Sequence, residues 1–266
     1  MPDAARQDPV PPPRDGSSAR FALLFSPPRV RPALQALAAF RSEIDDVLLK
    51  PLDSSVRSVK LAWWADEVSR LGEGQPRHPI TRQLLSFLSP GDHQLLMSFL
   101  ESTAAWLEPS ADGKDALQSY LAASGGTLGE MASRLADAGA SGQPAALRRP
   151  ARALGTGIRG TALARLALVS PSVLGRFSGS ATRDDCFDRC RTFSAEQLSA
   201  GFRDFPAAET RRQRGLLVMA KLYERLNRKL SGAADGKLVE LSPPVKLWTA
   251  WRTARSTSGI EPDGTQ

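Results

Sequence analysis

The sequence predicts an all-α fold, and three observations carry that prediction. No run of alternating β-branched residues occurs. The Asp-Gly pairs, Asp112-Gly113, Asp235-Gly236 and Asp263-Gly264, stand in polar stretches and not between such runs. Apolar residues instead recur at helical spacing, with proline and glycine punctuating the pattern.

Residues 1–18 hold Asp3, Arg6, Asp8 and five prolines, with no apolar segment of the kind a signal peptide needs. They are expected to be a disordered Pro-rich leader, ahead of one helical domain over 19–255 and a flexible tail over 256–266. Pro32 opens the first long helix, where its missing N–H costs nothing. Leu37, Phe40, Ile44 and Val47/Leu48 form that helix's buried face, and Pro51 ends it. Asp53 or Ser54 caps the next helix, along which Val56, Val59, Trp63 and Leu71 recur until Gly72 and Gly74 stop it. A connection this short makes the two helices pack antiparallel.

Further helices are expected over 79–88, 91–106 and 114–123. Gly125-Gly126 marks a break, after which Thr127 caps "LGEMASRLADAG" with Glu130 completing a capping box. Pro144 starts another helix, interrupted by Pro150, and a Gly/Ser/Arg-rich loop runs from Pro171 to about Asp185. A late helix over 206–230 has a broad apolar face built from Leu216, Leu217, Met219, Leu222, Tyr223, Leu226 and Leu230. Pro243 and Pro244 precede the last helix, "VKLWTAWRTAR".

At 266 residues and 41% hydrophobic content the chain can bury a sizeable core. No apolar run approaches the roughly 20 residues that span a bilayer. Cys186 and Cys190 are four apart, a spacing that suits reduced thiols in a cytoplasmic protein better than a disulfide. His78 and His93 lie far from both, and no zinc-binding spacing exists. The net charge of +7 and pI near 9.9 suit an anionic partner such as a diphosphate or an acidic membrane surface, against a solvated basic face. Nucleic acid is not expected, because no basic stripe is interleaved with aromatics.

The order "ALAAFRSEIDD", "VRSVKLAWWADEV", "GEGQPRHPIT", "YLAASGGTLGEMASRLA", "ALGTGIRGTALAR" resembles the squalene/phytoene synthase family over residues 20–255. It is most similar to short bacterial members, which in turn resemble the mitochondrial complex I assembly factor of the same fold. The resemblance implies a single isoprenoid-synthase-like helical bundle around a central cavity. It implies chemistry in which two prenyl diphosphates condense head to head. Mg²⁺ then bridges the diphosphates to aspartate-rich motifs on facing helices. Such acids suit the task because hard oxygen ligands hold Mg²⁺, and residues at i and i+4 share a helix face.

This sequence departs from both motifs. In the first, close to Y-A-x-x-R-x-x-D-D-x-x-D, Asp45 and Asp46 match, but Ala38, Ser42 and Leu49 stand for the Tyr, the Arg and the last Asp. In the second, close to Q-L-T-N-I-L-R-D-x-x-x-D, Thr161 and Arg165 match. Arg159 stands for the Gln, and Leu166 and Ser170 stand for both aspartates. Losing one group that merely orients a metal ligand costs ~10–100-fold in affinity or activity. Here three ligating carboxylates themselves are missing.

The resemblance with these departures implies a catalytically degenerate member. It would bind a prenyl lipid, a prenyl diphosphate or a protein partner in an accessory or assembly role, in the cytoplasm or peripheral to the inner membrane. Asp45, Asp46, Arg159 and Arg165 are the candidate substrate-binding residues, and no catalytic residue is assigned. No cofactor is expected. The alternative is an active head-to-head transferase, with Mg²⁺ on Asp45 and Asp46 and rescuing acids from Asp66 and Glu67, or from Asp184, Asp185 and Asp188.

Each feature also has a plainer reading. Asp45 and Asp46 can be a charged helix end relieved by Lys50. Arg165 can pair with a buried acid. Trp63 and Trp64 are expected to pack in the core, or else to wall a prenyl cavity. The last helix docks on the bundle or lies on an acidic membrane. A helical module with a filled core and no ligand cavity is a third reading of the whole chain.

Overall fold

The computed structural model describes residues 10–50, 52–107, 114–137, 145–170, 183–232 and 237–257. Ten α-helices occur among them, with no strand. They are α1 (Ser18–Phe25), α2 (Arg31–Leu49), α3 (Ser54–Gly72), α4 (Pro79–Leu85), α5 (His93–Leu107), α6 (Lys114–Ala136), α7 (Ala145–Ala167), α8 (Arg183–Arg203), α9 (Arg214–Leu230) and α10 (Pro243–Ser256). The proposed stops and starts at Pro51, Pro144 and Pro171, and the three Asp-Gly pairs, lie outside the described residues.

One part of the core joins α2 to α6 around Phe40, Phe99, Ile44, Trp64 and Met131. Phe40 meets Trp64 edge-on at 5.2 Å. A second part sits between α6, α7 and α8, and a third between α7, α8 and α9. Helix α7 is therefore the central strut, and the residues that let it be central are small. A Cβ on Gly129 would lie 2.2 Å from the carbonyl oxygen of Ala151, and one on Gly155 2.2 Å from that of Gly125. Backbones thus touch directly where α6 crosses α7. On the other side of α7, Gly157 and Gly160 receive Leu198 and Ser194 of α8.

This contact overturns the expected break at Gly125-Gly126. Helix α6 runs through both glycines, because close packing against α7 outweighs their poor helix propensity of roughly 1 kcal/mol each. Thr127 caps nothing: its hydroxyl donates back to the Ala123 carbonyl at 2.5 Å. Glu130 is fully buried and faces Arg134, Arg148 and Arg152, which ties α6 to α7. Pro150 does not interrupt α7 either. It lies near the helix start, costs a single backbone bond and packs inside.

Two helices escaped the sequence reading. Helix α1 is capped by Ser17, whose hydroxyl accepts from the Arg20 N–H at 3.2 Å. Helix α8 begins where a loop was expected and buries Cys186, Cys190, Ser194 and Leu198, a face too small and too weakly apolar to announce itself. The helix expected over 206–230 is shorter: a 3₁₀ turn at Ala207–Glu209 precedes α9.

The Pro-rich segment is not loose from Val10 onward. Val10 is buried, its carbonyl accepts from Gln35 at 2.5 Å, and the Gly16 carbonyl accepts from Lys246 at 2.8 Å. Trp64 is core as expected, but Trp63, on the next position around α3, is 44% exposed and rests against His78.

If backbone contact sets the α6–α7 distance, Gly155→Ala should destabilise the protein by about 3 kcal/mol or more despite alanine's better helix propensity. Gly232→Ala, whose Cβ meets nothing within 4 Å, should change stability by less than about 0.5 kcal/mol. Urea denaturation of the two variants distinguishes the cases; equal midpoints would refute the contact.

Candidate functional site

Arg159 projects from α7, one turn beyond Gly155, and Gly125 leaves the space at its base: a Cβ there would sit 2.6 Å from the Arg159 Cβ. The guanidinium is 5% exposed. It donates to Asp45 Oδ1 of α2 at 2.5 Å and to the Tyr120 hydroxyl of α6 at 2.8 Å. The Phe99 and Tyr120 rings flank it, with centroids 5.8 and 5.9 Å away. Burial alone would lower its pKa; the Asp45 carboxylate and Tyr120 outweigh that and raise it, so the group stays cationic. Arg41, one turn before Asp45 on α2, adds a second cation 3.7 Å from the same carboxylate.

Two adjoining spaces meet here, with Ala19, Ala38 and Arg41 lining both. The inner one, about 120 Å³, is walled by Leu34, Leu37, Ile158, Leu216 and Met219, with Arg41 and Arg159 as its charged groups. The outer cleft, about 690 Å³, is lined by Asp45, Asp46, His78, Arg165, Tyr223 and Lys246, and the segment from Val10 to Ser18 borders it. The inner volume matches a single small ring, since a cavity of about 150 Å³ admits benzene. The outer one falls in the usual range for a ligand pocket. The Nε–H groups of Arg41 and Arg159 are buried and have no hydrogen-bond partner.

The four candidate residues are thus brought to one region, but not as a metal site. Asp45 is committed to Arg159 and Arg41. Asp46 pairs with Lys50 at 2.6 Å on the exposed end of α2, as the helix-end reading expects. Arg165 donates to the Val239 carbonyl at 2.8 Å and pairs with Glu240, which also holds Lys246 at 2.7 Å. Glu240, half-exposed, is therefore the partner of Arg165, and not the buried acid of the plainer reading.

The rescuing acids do not reach the site. Asp66 is exposed. Glu67 is fully buried and accepts from the Arg77 and His78 N–H groups, both at 2.7 Å, from Thr81 at 2.5 Å and from Arg70. It fixes the turn before α4. Burial would raise its pKa, but the bonds from the His78 N–H, Thr81, the Arg77 N–H and Arg70 lower it overall. Asp184, Asp185 and Asp188 lie on α8, not in a loop, and all three are exposed. The helical phase that turns Cys186 and Cys190 inward turns these acids out.

Neither Trp63 nor Trp64 lines the inner space. No group of three or more His, Cys, Asp or Glu side chains placed to hold a metal occurs among the described residues. Asp45, already neutralised by guanidinium, and Asp46, turned to Lys50, are a poor donor set for Mg²⁺, which demands several free oxygen ligands.

The squalene/phytoene synthase family model matches residues 13–167, from the Pro-rich segment through α7, more than half of the chain. The chain belongs to the squalene/phytoene synthase family. The fold agrees over the remainder as well. A dehydrosqualene synthase solved in complex with ligand matches at 17% identity and a TM-score of 0.63, over 91% of this chain and 90% of that one. The squalene synthase HpnC from Alicyclobacillus acidocaldarius matches at 16% identity and a TM-score of 0.53, over 90% and 88%. None of the curated proteins matches the chain. No helix among the described residues is long and apolar enough to cross a membrane.

Two predictions follow from this pairing and from Glu67. Asp45→Asn should cost about 3 kcal/mol, because it leaves a buried guanidinium uncompensated. Arg159→Met should cost less, because Asp45, 21% exposed, can turn to water. Chemical denaturation ranks them, and the reverse order would show that Arg159 is not the desolvated partner.

For pH, His78 is lowered by burial against the raising effects of Glu67 and Glu43, while Glu67 and Glu130 are lowered by their donors. All three contribute stability that is complete above their unfolded values. Stability should therefore start to fall below about pH 6.5 and fall again below about pH 4.5. Glu67→Gln should flatten the second fall; an unchanged pH profile would rule Glu67 out as its source.

Proposed function

We propose that this family member holds one prenyl chain bearing an oxygen-rich head group, a prenyl diphosphate or related lipid, and does not condense two. Its role is then accessory, in binding or assembly, in the cytoplasm. The observation that carries this reading is the Arg159–Asp45 pair. An acid that would serve Mg²⁺ is neutralised from the facing helix, and Leu166 and Ser170 stand where further acids would be needed. A diphosphate leaves only when its growing charge is neutralised, and fixed guanidinium groups bind such charge more readily than they reproduce metal-assisted ionisation.

The lining agrees in character: Leu34, Leu37, Ile158, Leu216 and Met219 give the inner space apolar walls beside the charged Arg41 and Arg159. Arg41 and Arg159 each bring a buried Nε–H with no hydrogen bond, a demand that an anionic head group beside the inner space would meet.

Calorimetric titration with farnesyl diphosphate in EDTA should show binding, and adding Mg²⁺ should change it by less than about threefold. Arg159→Gln and Arg41→Gln should each weaken binding about tenfold to a hundredfold, the loss expected for one charged hydrogen bond. Mg²⁺-dependent release of diphosphate with a condensed prenyl product would establish the active transferase instead. Absence of binding with or without metal would refute both readings of the cleft.

A further inference from the structure

Helix α10 docks on the bundle with a narrow stripe, Lys246, Ala250 and Ala254, all buried. Successive residues turn by roughly 100° around a helix, so Trp251, Arg255, Trp248 and Arg252 fall together on the arc away from the stripe, with Leu247 at its edge. Leu247 is 51% exposed and Trp248 55%. The Trp248 and Trp251 indoles stack at 5.0 Å with an interplanar angle of 29°, and the Arg255 guanidinium lies 4.8 Å above the Trp251 ring. Of the apolar residues Val245, Trp248 and Trp251, only Val245 packs against the core. The bundle closes over small residues, and the large aromatic ones are presented outward.

We propose that this face seats the protein on a bilayer containing anionic phospholipid. Stacked indoles with an apolar body and an N–H suit the headgroup boundary, where tryptophan is enriched. Pro243–Ser256 contains Lys246, Arg252 and Arg255 and no acid. Arg225 of α9 extends the positive charge along the flank, reaching Thr249 at 3.4 Å. A basic, aromatic outer arc complements a negative lipid surface. A second copy would bring the same acid-free basic face and so no complementary negative charge.

Lys246, on the buried stripe of the same helix, lines the outer cleft with Asp45 and Arg165, so the cleft and the outer arc lie on opposite sides of α10.

Flotation of the full chain with vesicles tests this surface independently of any ligand in the cleft. The protein should float with vesicles of equal parts phosphatidylcholine and phosphatidylglycerol and not with phosphatidylcholine alone. The double variant Trp248→Ala/Trp251→Ala should reduce partitioning at least tenfold. Arg252→Glu/Arg255→Glu should reduce it roughly thirtyfold at low salt, each basic residue near an anionic surface being worth about fivefold. The substituted side chains are exposed, so circular dichroism should be unchanged. Failure to float with the mixed vesicles overturns the proposal. So does wild-type partitioning by both variants, and so does a dimer in solution that the tryptophan variant dissociates, which would make the face a self-interface. Binding of farnesyl diphosphate can fail without affecting any of these results.

Discussion

Direct backbone contact between α6 and α7 is the constraint from which the site's geometry descends. Gly125 and Gly129 face Ala151 and Gly155, and no side chain separates the two helices there. That closeness narrows the inner pocket, two of whose walls are Gly129 and Gly155. It also fixes where Arg159 emerges, one turn farther along, with its stem over Gly125 and its head between Phe99 and Tyr120. A long cationic side chain so confined has few rotamers, and the carboxylate in its reach is Asp45.

The Arg159–Asp45 pair then does two things at once. It links α7 to α2 across the bundle, and it neutralises Asp45 from within the fold. Whether a pair of this kind adds net stability is a separate matter, since desolvation of both ions offsets much of the attraction. Its chemical consequence is clearer. Arg41 and Arg159 bring positive charge to the inner space, and part of it is spent on Asp45.

Much of this was legible in the sequence, for physical reasons that can be named. The long amphipathic helices α2 and α9 were visible because large apolar residues recur on them at helical spacing. The substitutions Arg159, Leu166 and Ser170 were visible once the family pattern was laid over the chain. What stayed hidden were features that depend on partners. Gly125-Gly126 reads as a break to anyone who cannot see α7 beside it. Helix α8 buries cysteines and serine, so its inward face carries little hydrophobic signal. The reach of Arg159 to Asp45 joins residues more than a hundred positions apart, and local spacing holds no trace of it. Glu67 resembled a spare catalytic acid because two of its four donors come from a turn whose shape only the fold defines. Which side of α10 docks was not legible for a related reason: large aromatic residues are ordinarily core, and the docking stripe here is made of alanine and a lysine stem.

The segment running from Val10 to the start of α1 crosses the rim of the outer cleft and is pinned at its two ends, by Val10 with Gln35 and by Gly16 with Lys246. Between those pins lie three consecutive prolines, which cannot join a helix or a sheet ladder and so add no further fastening to the helices beneath. Fastened at those two points, the segment can part from the cleft rim locally at less cost than any two packed helices can be separated.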